Sequence, residues 1–258
     1  MQYKHYKDKN ASVLINQKVL ADYQPGLFCR ETLAREQHDT CSRGRGNVMF
    51  YEHDSLQLVL KPYHRGGLLG RMIKNSYLYS GTERSRMWRE FLLLGQMRDL
   101  GLPVPRPVAT RCVRTSPLCY QGDLITERIA DAQTLAEVLS EKNLSDTTWE
   151  AIGRIIQRFH HHNIDHTDLN ACNILLTRSG KIYLIDFDKC AIRRGRHKGW
   201  RRDNLNRLRR SLGKWEQREA TFHFNKEHWQ ALQRGYSHPN TNTPSSSESR
   251  LSSLRSLP

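Results

Sequence analysis

Short apolar runs separated by turn residues fill much of the first half of the chain. Residues 48–51 and 56–60 are two such runs, with the polar turn Glu52-His-Asp-Ser55 between them, and further runs follow at 108–113, 118–120 and 123–129. Runs of this length with intervening turns are typical of antiparallel strands. The pattern therefore predicts a small antiparallel sheet in this half of the chain.

Helical spacing of apolar residues marks the segments that follow or interrupt these runs. A helix predicted over residues 82–100 ends before the proline-rich stretch 102–107, because proline and the residue before it disfavour helix. A short helix is predicted over 133–141, and a longer one after Thr147, which forms a capping-box pattern with Glu150. Separate sheet-rich and helix-rich parts indicate the α+β class.

Residues 166–188 carry the clearest candidate chemistry. Two β-type runs here flank a polar Ser-Gly turn, which is typical of a hairpin. Asp168 and Asn173 precede the hairpin, and Asp186 ends it. The predicted hairpin therefore brings three oxygen-bearing side chains to one end of a two-stranded platform.

The order and spacing of these residues match the needs of phosphoryl transfer from a nucleotide. In kinases an H-x-D-x-x-x-x-N motif supplies the residue that faces the acceptor hydroxyl and one metal ligand, and a later aspartate supplies the second ligand. We predict Asp168 as the catalytic residue and Asn173 and Asp186 as ligands of Mg²⁺. A polar surface turn is the alternative, but it explains one such residue more easily than three at this spacing.

Four residues that lie earlier in the chain than the hairpin are candidates for the nucleotide-binding site. Gly44 and Gly46 would let backbone N–H groups approach phosphates closely. Lys61 ends a β-type run, where a kinase keeps the lysine that pairs the α- and β-phosphates, and Glu90 on the following helix is its candidate partner. Each alone has an ordinary explanation as a turn or a strand-end lysine. Their order along the chain is what favours a kinase.

These elements predict two lobes that share a nucleotide cleft. The main-chain groups between Glu127 and Ile129 are predicted as the hinge that meets adenine. The predicted parts are an N-terminal extension (1–40), a nucleotide-covering N-lobe (41–129), a catalytic and acceptor-binding C-lobe (130–236) and a disordered tail rich in Ser, Thr, Asn and Pro (237–258).

Composition narrows the class of partner. The 258 residues carry a formal net charge of +15, which favours an anionic partner: nucleic acid, a phosphorylated substrate or an acidic membrane face. The six cysteines include no C-x-x-C pair, so we expect reduced thiols in the cytosol. The N-terminus lacks an apolar signal segment, and no run reaches the length of a membrane span. We therefore expect a soluble or peripheral protein on the cytoplasmic side.

Two basic stretches are candidates for contact with an anionic acceptor or membrane. Residues 68–78 combine leucines with basic residues, which suits either a membrane-surface segment or a helix packed on its own core. The second stretch, called here the basic segment, spans 193–210 and has ten basic residues against one acid. Part of it must be an ordinary solvated helix face. Its composition nevertheless favours an anionic ligand.

Several motifs together resemble the 3-deoxy-D-manno-oct-2-ulosonic acid (Kdo) kinase family of lipopolysaccharide assembly, whose members have a protein-kinase-like fold. The resemblance covers nearly the whole chain up to the tail. The matching elements are Gly44-Arg-Gly46, Lys61-Pro-Tyr-His-Arg-Gly-Gly67, Trp88-Arg-Glu90, His166-Thr-Asp168-Leu-Asn170, Asp186-Phe-Asp188 and Trp200-Arg-Arg-Asp-Asn-Leu205.

The resemblance implies a two-lobed fold with a small antiparallel N-lobe and a mainly helical C-lobe that carries the catalytic hairpin. It implies ATP- and Mg²⁺-dependent phosphorylation of the 4-hydroxyl of Kdo on Kdo-lipid IVA, at the cytoplasmic side of the inner membrane, by a peripheral protein. Arg65, Arg201, Arg202 and Arg207 are candidate contacts to the acceptor and to anionic lipid.

The chain departs from protein kinases in ways that argue against a protein substrate. Asn170 replaces the usual catalytic-loop lysine, Asp188 replaces the glycine of D-F-G, and no A-P-E motif follows. Only 72 residues follow Asp186, too few for a complete protein-kinase lower lobe.

Two other functions stay open from the sequence alone. One is a heptose kinase of the lipopolysaccharide core, or another small-molecule kinase similar to aminoglycoside phosphotransferases. The other is a nucleic-acid-binding protein with a decayed kinase fold, which the charge alone would suggest. The intact set of Lys61, Glu90, Asp168, Asn173 and Asp186 argues against the second, so no nucleic-acid partner is expected.

Overall fold

A computed structural model shows how these elements are arranged. The structure describes residues 2–28, 48–63, 77–195 and 198–238. Several predictions lie outside the described residues. They are Gly44 and Gly46 of the glycine loop, Arg65, most of the 68–78 stretch and nearly all of the 237–258 tail.

The described residues form an antiparallel N-terminal part and a helical C-terminal part. The strands are β1 (Tyr3–Lys7), β2 (Ala11–Asn16), β3 (Met49–His53), β4 (Leu56–Tyr63), β5 (Tyr77–Leu78), β6 (Pro107–Ser116), β7 (Cys119–Glu127), β8 (Ala132–Thr134), β9 (Ile164–Asp165), β10 (Ile174–Thr177), β11 (Ile182–Leu184) and β12 (Ala191–Ile192). The α-helices are α1 (Arg86–Asp99), α2 (Leu135–Glu141), α3 (Asp146–His161), α4 (Gly199–Arg218) and α5 (Lys226–Ser237).

One antiparallel sheet of seven strands forms the N-lobe. Its order is β1-β2-β6-β7-β4-β3, and β5 pairs with β7. Strands β1 and β2 of the predicted N-terminal extension belong to this sheet, since β1 pairs with β2 and β2 pairs with β6 along its length. Strand β2 is buried on both faces: Leu14 packs into one hydrophobic cluster, and Val13 and Ile15 pack into the other. This double burial explains why the first strands belong to the lobe.

Helix α1 covers one face of the sheet. Its buried residues Met87, Phe91 and Leu94 join the larger hydrophobic cluster that continues into the C-lobe. The helix begins later than predicted, because residues 82–84 form a 3-10 turn and Ser85 is extended, with φ −67° and ψ 148°. A left-handed Gly101 (φ +71°) follows its last turn and redirects the chain.

The C-lobe is held together by close packing of α3 against α5. A Cβ added at Gly153 would lie 2.1 Å from the carbonyl oxygen of Leu232, and one added at Gly235 would lie 2.0 Å from that of Glu150. Helix α3 begins after Ser145, whose hydroxyl accepts the N–H of Thr148. The predicted Thr147–Glu150 capping box was therefore wrong by two residues, and the complete capping box lies at the start of α2.

The predicted hairpin of the C-lobe is confirmed. Strands β10 and β11 pair antiparallel, and Gly180 in the turn between them has φ +78°, a conformation that favours glycine. Strand β8 pairs with the other edge of β10. The N–H of Leu184 donates to the carbonyl of Pro103 at 3.1 Å, which places the hairpin against the extended stretch between α1 and β6.

Candidate active site

Three charged side chains from distant parts of the chain meet where the two lobes face each other. The Lys61 ammonium on β4 lies 3.0 Å from Oε2 of Glu90 on α1 and 2.6 Å from Oδ1 of Asp186. The Glu90 side chain is only 3% exposed. The predicted pairing of Lys61 with Glu90 is therefore confirmed, and Asp186 joins the same cluster.

Burial and charge act against each other on Lys61. Removal from water disfavours the ammonium, but the attraction of the Glu90 and Asp186 carboxylates outweighs this, so the pKa of Lys61 is raised. The Tyr63 hydroxyl also contacts Glu90, and burial together with that carboxylate raises the pKa of Tyr63 well above its usual value. Tyr63 therefore stays protonated and donates to Glu90. The lysine keeps its positive charge over the whole physiological pH range.

The backbone around Asp186 is held in a conformation that a non-glycine residue rarely adopts. Asp186 has φ +64°, in the left-handed region. Three hydrogen bonds fix its neighbours. Ile185 N–H donates to the Asn173 carbonyl at 3.0 Å, the His166 ring nitrogen Nε2 bonds the Ile185 carbonyl at 2.9 Å, and Phe187 N–H donates to Glu90 at 3.0 Å. The surrounding structure thus over-determines the strained residue, a pattern that clusters at functional sites.

The loop that carries Asp168 is braced by two asparagines. The side-chain amides of Asn170 and Asn173 both donate to the backbone carbonyl of Asp168, at 3.0 and 2.9 Å. The Asp168 side chain itself is exposed. The loop therefore has a fixed backbone and leaves one carboxylate open to a ligand from solvent.

The donor set near the hairpin fits a magnesium ion. Asp186 and Asn173 both line the cleft between the lobes and offer carboxylate and carboxamide oxygens, the donors that Mg²⁺ prefers. Among the described residues, no group of three or more His, Cys, Asp or Glu side chains could hold a metal. A magnesium site that takes one or two protein ligands and completes its shell with phosphate and water needs no such group.

The cleft has a volume of about 840 Å³, within the range of small-molecule sites. One end is polar and contains Lys61, Glu90, Asn173 and Asp186. The rest is walled largely by apolar residues, including Phe50, Val59, Leu124, Leu175 and Ile185, and it is bordered by the main chain from Glu127 to Ile129. Asp168 is not among the residues that line this cleft.

The geometry of this site agrees with the protein family that the sequence matches. Residues 33–236 match the family described as the lipopolysaccharide kinase (Kdo/WaaP) family. The chain belongs to this family. It therefore uses ATP, as kinases do, and the α+β two-lobed prediction is confirmed.

Several curated proteins that are similar to this chain share a name. The chain is 40% identical over 210 residues to a 3-deoxy-D-manno-octulosonic acid kinase of Vibrio parahaemolyticus, covering 81% of this chain and 87% of that protein. Proteins of the same name from Vibrio cholerae (42% over 171 residues, 66% and 72% covered) and Haemophilus influenzae (40% over 202 residues, 76% and 83% covered) also match. The resemblance stated from the sequence is thereby confirmed.

A solved structure described as WaaP in complex with acyl carrier protein has a similar fold. The TM-score is 0.52, and the match covers 81% of this chain and 82% of that one. At 17% identity this likeness supports the fold alone.

In this family member, helix α4 anchors the loop that carries Asp168 through Asn204, which is 1% exposed. Its side-chain oxygen accepts the N–H of His166 at 3.0 Å, and its amide donates to Asp165 at 2.9 Å. The second oxygen of Asp165 accepts two bonds from Arg193. The strand before Asp168 is thus tied to α4 by a buried polar network.

The predicted acceptor-binding arginines separate into different environments. Arg201 donates to the His160 carbonyl at 2.7 Å and to Asn163 at 3.2 Å, so its guanidinium is engaged within the C-lobe. Arg202 is exposed and Arg207 is half-buried on α4. Arg65 lies outside the described residues.

The buried residues His160 and His166 also support the loop that carries Asp168. Burial is the main cause that lowers the pKa of both, and that of His160 falls to about 4. His160 bonds the hydroxyl of Tyr236 at 2.8 Å. Both rings are therefore neutral at pH 7 and serve as hydrogen-bonding groups in the core.

Sequence reasoning missed Tyr63 and Asp165. Tyr63 could have been found, because it lies two residues after Lys61 on the same strand and so shares its face. Asp165 carries no comparable signal, since its partners Arg193 and Asn204 lie 28 and 39 residues further along the chain.

Proposed function

We propose that the protein transfers the γ-phosphoryl group of ATP to the 4-hydroxyl of Kdo in Kdo-lipid IVA during assembly of the lipopolysaccharide core. The Lys61–Glu90–Asp186 cluster at the polar end of the cleft is the observation that carries the proposal, because it provides the phosphate- and metal-binding groups of a kinase. The shared name of the relatives, which match over most of both chains, supports Kdo as the acceptor sugar.

The apolar part of the cleft suits the adenine ring of ATP. Main-chain groups from Glu127 to Ile129 border it and are our candidates for hydrogen bonds to the base. The phosphates would then extend toward Lys61, whose ammonium is held by two carboxylates. We propose Gly44 and Gly46 as the backbone that covers those phosphates.

We propose Asn173 and Asp186 as the residues that hold Mg²⁺. When bound, the ion neutralises charge on the β- and γ-phosphates and orients the transferred group. The fixed, left-handed backbone at Asp186 supports this role, because it keeps the carboxylate beside Lys61 without rearrangement. Lys61 then has two tasks, which are to position Asp186 and to bind the phosphates.

We propose Asp168 as the group that orients the acceptor hydroxyl and accepts its proton. Its exposed carboxylate is available to an acceptor, while its backbone carbonyl is fixed by Asn170 and Asn173. General-base assistance of this kind contributes about 10²- to 10⁴-fold in rate. The hydroxyl oxygen attacks the γ-phosphorus, the bond to the β–γ bridging oxygen breaks, and ADP leaves.

The acceptor and its membrane are both anionic, and we propose that exposed basic residues meet them. Arg202 and Arg207 on α4 remain candidates, as does Arg65, whereas the internal bonds of Arg201 suit a supporting role in the C-lobe. No helix among the described residues combines the length and apolar character needed to cross a bilayer. We propose peripheral attachment at the cytoplasmic face of the inner membrane, with no nucleic-acid partner.

The test is a phosphoryl-transfer assay with purified protein, labelled ATP and Mg²⁺ on three acceptors. These are Kdo-lipid IVA, a lipid with a heptosylated core and an aminoglycoside. We expect label on Kdo-lipid IVA alone, and phosphorus–proton correlation spectra of the product should locate it at the 4-position of Kdo. Preferential labelling of heptose or the aminoglycoside would overturn the proposed acceptor while leaving the kinase assignment intact.

A further inference from the structure

The turn after Asp186 makes a second contact with helix α1. The Nε–H of Arg86 donates to Oδ1 of Asp188 at 2.8 Å, and a terminal nitrogen of the same guanidinium contacts the other carboxylate oxygen. Paired contacts of this kind are the strong, directional form of an arginine–carboxylate bond. The two side chains are only 30% and 19% exposed, so the contact is partly shielded from water.

Arg86 and Glu90 both bind this turn. They lie one helical turn apart and therefore on the same face of α1. Glu90 accepts the N–H of Phe187, and Arg86 binds the side chain of Asp188. Successive turns of α1 thus bind successive residues of the segment that begins with the proposed metal ligand.

Arg86 is itself fixed in place. Its backbone N–H donates to the hydroxyl of Tyr120 at 3.2 Å, and its guanidinium lies over the ring of Tyr63 at 5.7 Å. Tyr63 in turn contacts Glu90. The arginine therefore presents a rigid partner to Asp188 and connects it to the Lys61–Glu90 pair.

We propose that Asp188 is a positioning residue, which acts through Arg86 to keep α1 in register with Asp186. Asp188 is two residues from Asp186, so a third metal ligand is the obvious alternative role for it. The paired contact with Arg86 argues against that role, because it engages both carboxylate oxygens and compensates the charge. The inference rests on the proposed kinase function of this site.

A double-mutant cycle tests the inference. The variants are Arg86→Gln, Asp188→Asn and the double replacement, with Arg84→Gln as an exposed control just before α1. Three quantities are measured: turnover with Kdo-lipid IVA, the Mg²⁺ concentration for half-maximal turnover, and the affinity for a non-hydrolysable ATP analogue with Mg²⁺ in the absence of acceptor. Thermal melting establishes that each variant is folded. Arg86→Lys, which keeps the charge and loses the fork, is a milder substitute if Arg86→Gln does not fold.

We expect each single variant to lose about tenfold or more in turnover, as is usual when catalytic groups are misaligned. Because both act through one contact, the double variant should be no worse than either single variant, and all three should share one Mg²⁺ dependence. The control should match the wild type.

Two results would overturn the inference. One is a raised Mg²⁺ requirement in Asp188→Asn that is absent in Arg86→Gln, which would make Asp188 a metal ligand. The other is a turnover loss in the double variant that equals the two single losses combined, or no loss in any of the three variants. Because analogue binding needs no acceptor, the same non-additive loss should appear in analogue affinity even if Kdo-lipid IVA proves to be the wrong substrate. The failure of this inference and the failure of the proposed function are therefore distinguishable.

Discussion

The polar end of the cleft and the outer face of α4 use charge in opposite ways. In the cleft, Lys61 lies within 3.0 Å of Glu90 and Asp186, so charges of opposite sign fix one geometry. On α4, several side chains of the same positive charge face solvent, including Arg202, Arg209 and Arg210. The first arrangement suits holding a small ligand in a defined pose. The second suits attracting an anionic surface from a distance, an effect that salt weakens.

The basic segment contains both arrangements. Arg193 and Arg201 bond groups of the C-lobe, while the exposed arginines of α4 do not take part in that network. Composition alone therefore overstates how many of its charges are available to a ligand. Replacements of neighbouring arginines such as Arg201 and Arg202 should therefore give different phenotypes.

The largest effect should come from Asp168→Ala. Without the carboxylate that orients the acceptor hydroxyl, we expect turnover to fall by about 10²- to 10⁴-fold. Steady-state kinetics with saturating ATP and Mg²⁺ measures this. Turnover like that of the wild type in a folded Asp168→Ala protein would remove the residue from the mechanism.

The second-largest effect should come from Asn204→Ala, which tests the link between α4 and the loop that carries Asp168. The buried His166 N–H and Asp165 would each lose a partner, at a cost of about 1–3 kcal/mol per unsatisfied group in the free energy of unfolding. We expect turnover to fall while KM for ATP changes little, because Asn204 contacts nothing in the nucleotide cleft.

Asn206→Ala is the matched control, since Asn206 is exposed two residues further along α4. Equal turnover in the two variants would show that the network is dispensable for catalysis.

A smaller, salt-dependent effect should follow replacement of Arg202, Arg209 and Arg210 by glutamine together. Each basic residue near an anionic membrane contributes about 1 kcal/mol, so KM for the lipid acceptor should rise tenfold or more at low salt. KM for ATP should stay the same. Kinetics at two salt concentrations, with Kdo-lipid IVA and with a water-soluble Kdo analogue, measures the difference.

Arg201→Gln is the comparison variant for this experiment. Because Arg201 bonds the C-lobe, we expect it to lower turnover equally with both acceptors and at both salt concentrations. If the triple variant behaved like Arg201→Gln, the idea of a membrane-docking face on α4 would have to be abandoned.

The smallest effect at neutral pH should come from His160→Gln, which tests the buried support of the loop. Burial lowers the pKa of His160 to about 4, against about 6.5 when exposed. Between these values the unfolded chain binds a proton that the folded chain does not. Acidification from pH 6.5 to 4 should therefore cost the wild type about 3 kcal/mol in the free energy of unfolding through this group.

The variant cannot bind that proton, so its stability should depend less on pH in this window. Urea unfolding at pH 7 and pH 4.5 measures the two slopes. The same loss in both proteins would show that His160 titrates normally.

Features encoded by local spacing could be predicted from the sequence. The hairpin followed from two apolar runs around Gly180. The pairing of Lys61 with Glu90, which are 29 residues apart, followed instead from the order of kinase motifs along the chain. Both depend on the order of residues within or between adjacent elements. Single-sequence patterns carry this kind of information.

Features that depend on partners far apart in the chain could not be predicted from the sequence. The pairing of β2 with β6 joins residues about a hundred positions apart, as does the contact between Arg86 and Asp188. Composition alone did not separate Arg201, which bonds groups of the C-lobe, from the exposed Arg202; only the helical spacing of Leu205 and Leu208 places Arg201 on the packed face. Such partners are decided by tertiary packing.

The most direct test of the account is calorimetric binding of a non-hydrolysable ATP analogue with Mg²⁺ to the wild type, Asp168→Ala, Lys61→Ala and Asp186→Asn. We predict wild-type affinity for Asp168→Ala, because that residue serves the acceptor. Both other variants should bind more weakly, and only Asp186→Asn should need more Mg²⁺. Affinity lost as severely in Asp168→Ala as in Asp186→Asn, or unchanged Mg²⁺ dependence in Asp186→Asn, would contradict the division of roles proposed for this site.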